Sequence, residues 1–66
     1  MIELTKLNGE PILINAMQIE YVESIPESKV IMMNGKFHIV LEEPEEIKRR
    51  VIEFIRTSYA MSEEEA

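Results

Sequence analysis

The chain has 66 residues and contains no cysteine, no aspartate and no tryptophan. Without cysteine it has no disulfide and no thiol chemistry, and nothing in its composition points to an oxidising compartment. No apolar run approaches the roughly 20 residues that span a bilayer. The glutamate-bearing N-terminus is also not that of a signal peptide. We therefore expect a cytoplasmic protein that inserts no segment into a membrane.

The shortness of the chain limits it to one small domain. A domain of this size buries only about 60% of the surface that its unfolded chain exposes, so its core is thin. With no disulfide and no metal cluster to reinforce that core, self-association is the expected supplement, and a homodimer is favoured. The formal net charge of -6 has the wrong sign for holding a phosphate backbone, so nucleic acid is not the expected partner.

Residues that carry enzyme chemistry are scarce. His38 is the only histidine, and a solitary imidazole without aspartate or cysteine beside it makes a poor catalytic group. The acidic run at 42–46 lacks the spacing and the glycine of a calcium loop. Gly9 and Gly35 lie in separate turns, so they form no phosphate-binding loop. We predict no enzyme activity, no small-molecule substrate, no cofactor and no metal site.

Two Asn-Gly dipeptides, Asn8-Gly9 and Asn34-Gly35, lie between strand-like runs. Asparagine and glycine tolerate the positive φ angles of a type I′ turn, so each dipeptide predicts a β-hairpin closed by a two-residue turn. These four residues are the predicted turn-determining positions. A further β-rich run adds a middle strand. The predicted strands are 2–7, 10–14, 19–25, 30–33 and 36–41.

A two-residue turn fixes which residues of a hairpin face each other. In the second hairpin it sets Met33 opposite Lys36 and Ile31 opposite His38. The candidate interaction face is therefore Ile31, Met33, Lys36 and His38, and the opposite face carries Val30, Met32, Phe37 and Ile39. In the first hairpin, Leu13 joins Ile2 and Leu4 on one face, and Leu7, Ile12 and Ile14 lie on the other. Both faces carry apolar residues, so we expect the sheet to need cover on both sides.

From Pro44 onward the apolar spacing changes from two to about 3.6. A proline at the first helical position, followed by Glu45 and Glu46, suits the start of a helix. Its predicted apolar stripe is Ile47, Val51, Phe54, Ile55 and Ser58, widened by Ile52 and Tyr59. We predict a helix over 44–60 and a flexible acidic tail over 61–66. The fold class is therefore α+β, mainly β, with about five short antiparallel strands and one C-terminal amphipathic helix in a single domain over 1–60.

Lys48-Arg49-Arg50 is the one basic run of the chain. A helix spreads these residues around its axis, and Glu45 and Glu46 lie one turn before the two arginines. We interpret the run as a solvated, salt-bridged helix surface rather than a nucleic-acid site.

Six segments of the chain follow one another in a specific order and spacing: Ile2-x-Leu4-Thr5-Lys6-Leu7-Asn8-Gly9, Leu13-x-Asn15, Ile19-Glu20-x-Val22-Glu23-x-Ile25-Pro26, Asn34-Gly35-Lys36-x-x-x-Val40, Glu45-Glu46-Ile47 and Val51-Ile52-Glu53-Phe54. Together they give the chain a resemblance to the FlbD/SwrD family of small flagellar proteins over about residues 1–57. It implies a non-enzymatic cytoplasmic accessory of bacterial flagellar motility that raises motor power through the stators during swarming. A flagellar motor or stator-associated protein is then an expected partner. Departures from the family pattern include Ala16, where a proline is common, and Met32-Met33 before the second turn.

A more distant likeness is to the carbon storage regulator CsrA, an RNA-binding translational regulator. Leu4-Thr5-Lys6, Gly9-Glu10 and Glu45-Glu46-Ile47 look similar to its motifs. That likeness implies an intertwined dimer of five-stranded chains, and an alternative function as a post-transcriptional regulator of flagellar genes. The CsrA RNA site depends on arginines, and the corresponding places here hold Leu7 and Pro44. We therefore expect shared architecture more than shared RNA binding.

Overall fold

Five strands and one long helix form the chain, and the computed structural model describes the backbone of residues 1–65 and the side chains of residues 1–58. The elements are β1 (Ile2–Thr5), β2 (Pro11–Ile14), a 3₁₀ helix (Ala16–Gln18), β3 (Ile19–Ser24), β4 (Ser28–Met32), β5 (Phe37–Val40) and α1 (Pro44–Glu65). All strand pairs are antiparallel. The predicted α+β class, mainly β with a C-terminal helix, is confirmed.

Both Asn-Gly dipeptides lie at hairpin turns, but each turn is one residue longer than predicted. In the first, Lys6 N–H donates to Glu10 O at 2.8 Å and Gly9 N–H donates to Lys6 O at 2.9 Å. The second hairpin repeats both bonds between the corresponding residues. This pattern is a type I turn followed by a left-handed glycine that forms a bulge.

The backbone angles exclude the predicted type I′ turns. Gly9 and Gly35 have φ of 90° and 87°, whereas no non-glycine residue of the described chain has a positive φ. A type I′ turn would require positive φ at Asn8 and Asn34 as well. Instead, each asparagine Oδ1 accepts a hydrogen bond from the backbone N–H two residues later, at 3.0 Å and 2.9 Å. These side-chain bonds stabilise the longer turn.

The extra turn residue shifts each hairpin register by one position, so the predicted face assignments are wrong. Ile31 faces Phe37 and Val30 faces His38, instead of Ile31 facing His38. In the first hairpin Leu4 faces Ile12. Because side chains alternate along a strand, a shift of one residue exchanges the two faces of one strand relative to its partner. The corrected inner set of the first hairpin is Ile2, Leu4, Ile12 and Ile14, and Leu13 lies outside.

The two hairpins meet where β1 passes the end of β5. β1 and β2 form one sheet, and β3, β4 and β5 form a second in the order β3-β4-β5. An isolated bridge pairs Lys6 with Val40, and Leu41 N–H donates to Thr5 O at 2.8 Å. These contacts hold the two sheets side by side.

The core lies between the inner faces of both sheets and one side of α1. Its buried members are Ile2, Leu4, Ile14, Ala16, Val30, Val40 and Ile47. Leu4 and Val30 are completely buried. The core therefore combines residues from β1, β2, β4, β5 and α1, and no single hairpin is able to form it alone.

Helix α1 uses a narrower apolar stripe than predicted. Val51 and Phe54 pack against the core beside the buried Ile47, whereas Ile52 and Ile55 are 42% and 38% exposed. Each of these two isoleucines follows a core residue by one position, which rotates it by about 100° around the helix axis. The short sheets cover only one line of helical residues, so the predicted placement of Ile52, Ile55 and Ser58 in the buried stripe is wrong. The side chain of Tyr59, also predicted for the stripe, lies outside the described residues.

The helix also extends beyond its predicted end at residue 60, since its backbone is helical to Glu65. The backbone of the predicted tail is thus helical over 61–65. Ala66 lies outside the described residues, and the flexibility of the segment stays a prediction.

Glycine is required at the bulge position of each turn. We expect Gly35→Ala to lower the free energy of unfolding by about 1–2 kcal/mol, because a Cβ is disfavoured at a left-handed backbone angle. No atom lies within 4 Å of the added Cβ, so backbone strain would be the whole effect. Gly35→Asn is the matched control and should lose less, since asparagine tolerates this conformation. Equal urea midpoints for Gly35→Ala and the unmodified chain would contradict the assignment.

Candidate protein-interaction surface

The outer side of the β3-β4-β5 sheet, which faces away from the core, carries a row of apolar side chains. Tyr21 faces Ile31 across β3 and β4, and Ile31 faces Phe37 across β4 and β5. Residues directly opposite each other in an antiparallel pair share one face. Two residues further along each strand, a second row on the same face holds Glu23, Lys29 and Ile39. We call these six residues the outer face.

The aromatic residues of the outer face are open to solvent. Tyr21 is 47% exposed and Phe37 is 52% exposed, whereas Ile31 between them is only 9% exposed. The Lys29 ammonium lies over the Phe37 ring, with Nζ 4.2 Å from the ring centroid. A cation over an aromatic face is attracted by the quadrupole of the ring. The outer face is therefore an apolar row bordered by one cation and one carboxylate.

The structure separates the four residues of the predicted interaction face. Ile31 lies on the outer face, but His38 faces Val30 on the inner side of the sheet and is half-buried. Met33 and Lys36 belong to the exposed second turn. The prediction that they share one face is wrong, because it assumed the two-residue turn. Whether any of the four contacts a partner stays a prediction.

Of the six outer-face residues, the predicted interaction face contained only Ile31, and the two exposed aromatic residues, Tyr21 and Phe37, are the most important of those it missed. The alternation of Phe37 with His38 and Ile39 was visible in the sequence. Its assignment to a face depended on the length of the turn, and Asn-Gly is compatible with both lengths. A three-residue turn tested against the same hydrophobic pattern would have placed Phe37 beside Ile31.

A network of charged groups fastens α1 to β1. The Glu42 carboxylate accepts bonds from the Thr5 N–H and the Thr5 hydroxyl, both at 2.8 Å. Arg50 reaches the same carboxylate at 3.3 Å and also donates to the Glu3 carbonyl at 2.6 Å. The Glu42 side chain is only 10% exposed. Its position just before the helix therefore sets where α1 begins relative to the sheet.

The protonation of Glu42 follows from these contacts. Burial by itself would raise the pKa of this carboxyl, but the hydrogen bonds from Thr5 and from its own backbone, together with the Arg50 charge, lower the pKa below its ordinary value of 4.5. Glu42 is therefore ionised at neutral pH. The tie between β1 and α1 is a charged one and weakens when the carboxyl is protonated.

The basic run of α1 is largely paired with glutamates. Arg49 donates to Glu46 at 2.6 Å and to Glu53 at 3.0 Å, and Arg50 donates to Glu46 at 2.7 Å. Bonds from both arginines lower the pKa of Glu46 to about 2. The sequence interpretation of a salt-bridged helix surface agrees with this geometry. Phosphate binding would have to compete with these carboxylates for the two arginines.

The described residues also bear on metal sites and on membrane-spanning segments. No group of three or more histidine, cysteine, aspartate or glutamate residues in this part of the chain is arranged to hold a metal ion. Within the same residues, no helix is long and apolar enough to cross a membrane.

Comparison with known proteins identifies the family. The model of the FlbD family, described as flagellar and swarming motility proteins, matches residues 1–59. The chain belongs to this family, which confirms the resemblance seen in the sequence and indicates a motility-related protein. No curated protein and no solved structure matches the chain. The likeness to CsrA stays a prediction.

The Glu42 tie predicts a pH-dependent stability. We expect Glu42→Gln to lower the free energy of unfolding at pH 7 by about 1–3 kcal/mol, the usual contribution of hydrogen bonds to a charged group. The folded pKa lies below 4.5, so the stabilisation is complete above that pH and is lost as the pH falls further. The difference in the free energy of unfolding between Glu42→Gln and the unmodified chain, measured by urea unfolding, should therefore shrink as the pH is lowered through the acid range.

The control for that measurement is Glu20→Gln, which removes an exposed carboxylate on β3. It should change the unfolding free energy little at any pH. A Glu42→Gln penalty that stayed constant from neutral to acid pH would contradict the charged tie.

Proposed function

We propose that this chain is a non-enzymatic, cytoplasmic accessory protein of bacterial flagellar motility. It supports motor power during swarming by binding protein, with a motor or stator-associated protein as its partner. It also self-associates through the outer face, as a dimer. The observation that carries the proposal is the half-exposed pair Tyr21 and Phe37 on an open sheet face in a chain of the FlbD family.

Family membership supports the cellular setting of this proposal, since the family consists of flagellar and swarming motility proteins. Protein binding is supported by the exposed apolar residues, because contiguous apolar patches on small domains commonly mark interaction sites. The scarcity of catalytic side chains supports an activity without chemistry. His38, the single histidine, lies on the inner side of the sheet opposite Val30.

Self-association through the outer face is supported by its charge pattern. In a two-fold symmetric contact, the same patch of both subunits must be complementary to itself. Glu23 lies directly opposite Lys29 across β3 and β4. In a two-fold contact, Glu23 of each copy is then able to face Lys29 of the other copy. The apolar row between Tyr21 and Phe37 supplies the surface that the pair would exclude from water.

The cellular role is tested by deleting the gene in its flagellated host and measuring swimming, swarming and motor torque. We expect reduced torque and reduced swarming, both restored by the unmodified chain. Unchanged torque and swarming in the deletion strain would refute the motility role. Salt-sensitive, micromolar binding to GGA-containing RNA hairpins would instead favour the CsrA-like alternative.

The outer-face contact is tested with Tyr21→Ser/Phe37→Ser and light scattering. We expect the unmodified chain to be a dimer at micromolar concentration and the double variant to be a folded monomer, because both aromatic anchors of the contact are removed. Far-ultraviolet circular dichroism checks that the variant still folds.

The matched control for that variant is Ile52→Ser, which removes an exposed apolar side chain from the solvent side of α1. It should leave the dimer intact. A folded monomer for the unmodified chain would contradict the assignment of the outer face. A monomeric Ile52→Ser together with a dimeric Tyr21→Ser/Phe37→Ser would contradict it as well.

A further inference from the structure

A groove lies where three segments of the chain converge. Leu7 comes from the first turn, Pro26 from the connection between β3 and β4, and Leu41 from the residue after β5. The groove has a volume of about 530 Å³, within the range of about 300–1,000 Å³ that is typical of binding pockets. It is formed by tertiary contacts, since Leu41 N–H is bonded to Thr5 O.

The apolar part of the groove is open. Leu7 is 52% exposed and Leu41 is 56% exposed. Both side chains come from backbone that is fixed by the bridge between Lys6 and Val40. Exposed leucines on a fixed backbone offer a partner apolar contact at little cost in conformational order.

The rim of the groove carries charge of one sign. Glu27, Glu43 and Glu45 line it, and its lining contains no lysine or arginine. These three side chains are exposed. Within the described residues they form no ion pair, in contrast to Glu42 and Glu46 beside them. The groove thus combines apolar contact with three carboxylates that lack a counter-charge.

Ser28 also lines the groove and is only 7% exposed. Because it is nearly buried, it belongs to the base of the groove rather than to its exposed rim.

We infer that this groove is a docking site for a short basic segment of a partner protein, with lysine or arginine flanking an apolar side chain. The apolar side chain lies between Leu7 and Leu41, and the cations lie against the glutamates of the rim. Charge complementarity selects this occupant, because a chain of net charge -6 attracts cations and the rim concentrates that charge. The inference rests on the proposed function and gives the chemistry of the partner.

A second copy of this chain is a poorer occupant. Two of its seven basic residues, Arg49 and Arg50, are already paired with Glu46. Lys29 is held over the Phe37 ring on the outer face. Lys6 and Lys36 belong to the two hairpin turns, and Lys48 and Arg56 lie eight residues apart on α1. They therefore do not form a short basic segment with an apolar side chain at its centre.

The test uses the full chain and a fluorescein-labelled ten-residue peptide of alternating leucine and lysine. Fluorescence anisotropy should give a micromolar dissociation constant that rises with salt. Glu27→Gln/Glu43→Gln should weaken binding about tenfold, the combined effect of two modest ion pairs. Leu41→Ser should weaken it by a similar factor. A peptide with glutamate in place of lysine should not bind.

The matched control is Glu3→Gln/Glu20→Gln, which removes the same charge from exposed positions outside the groove lining. It should change the dissociation constant by less than about twofold. Equal weakening by both double variants would overturn the inference, because binding would then follow net charge alone. Absence of binding to the unmodified chain would also overturn it.

Two further readouts separate the alternatives. If Glu27→Gln/Glu43→Gln changed the mass measured by light scattering, the groove would be a contact between copies and the inference would be overturned. Failure of the motility proposal is distinct, since the deletion strain would then show unchanged torque while the peptide still bound the groove.

Discussion

The backbone hydrogen bonds of the two Asn-Gly turns decide which side chains of this molecule are buried. Gly9 and Gly35 take left-handed angles, and each turn thereby holds three residues instead of two. Because strand side chains alternate, that single residue sets the register of each hairpin and the side of the sheet on which each residue lies. The core, the outer face and the position of His38 all follow from it.

Once the register is set, a second constraint joins the hairpins to the helix. The Glu42 carboxylate bonds Thr5 at the end of β1 and lies within reach of Arg50 on α1. This tie directs the chain from β5 into the helix and lets Ile47 enter the core at 2% exposure. The apolar core of so small a domain has few fully buried residues and fixes the position of α1 only weakly. The hydrogen bonds and the charge contact of Glu42 specify that position further.

The surface that results has two parts with different chemistry. The outer face is an apolar row with one charge of each sign at its border, which suits a second copy of the same chain. The groove beside Leu7 and Leu41 has three carboxylates at its rim that form no ion pair within the described residues, which suits a basic segment of another protein. The proposed use of one surface for self-association and of the other for a partner is compatible with the flagellar and swarming motility family to which the chain belongs.

The sequence by itself determined the element types, their order and the family. Those properties depend on local periods, turn residues and the proline that starts α1, all of which act between near neighbours. Only the tertiary structure decided the turn length, the partners of Phe37 and His38, and the tie between Thr5 and Glu42, 37 residues apart. Asn-Gly permits turns of two lengths, and only the longer one places Leu4 opposite Ile12 on the side of the shared core. The lack of cysteine and aspartate in the sequence predicted no thiol chemistry and no catalytic partner of these types for His38. The surfaces available for binding, in contrast, depended on contacts between residues far apart in the chain.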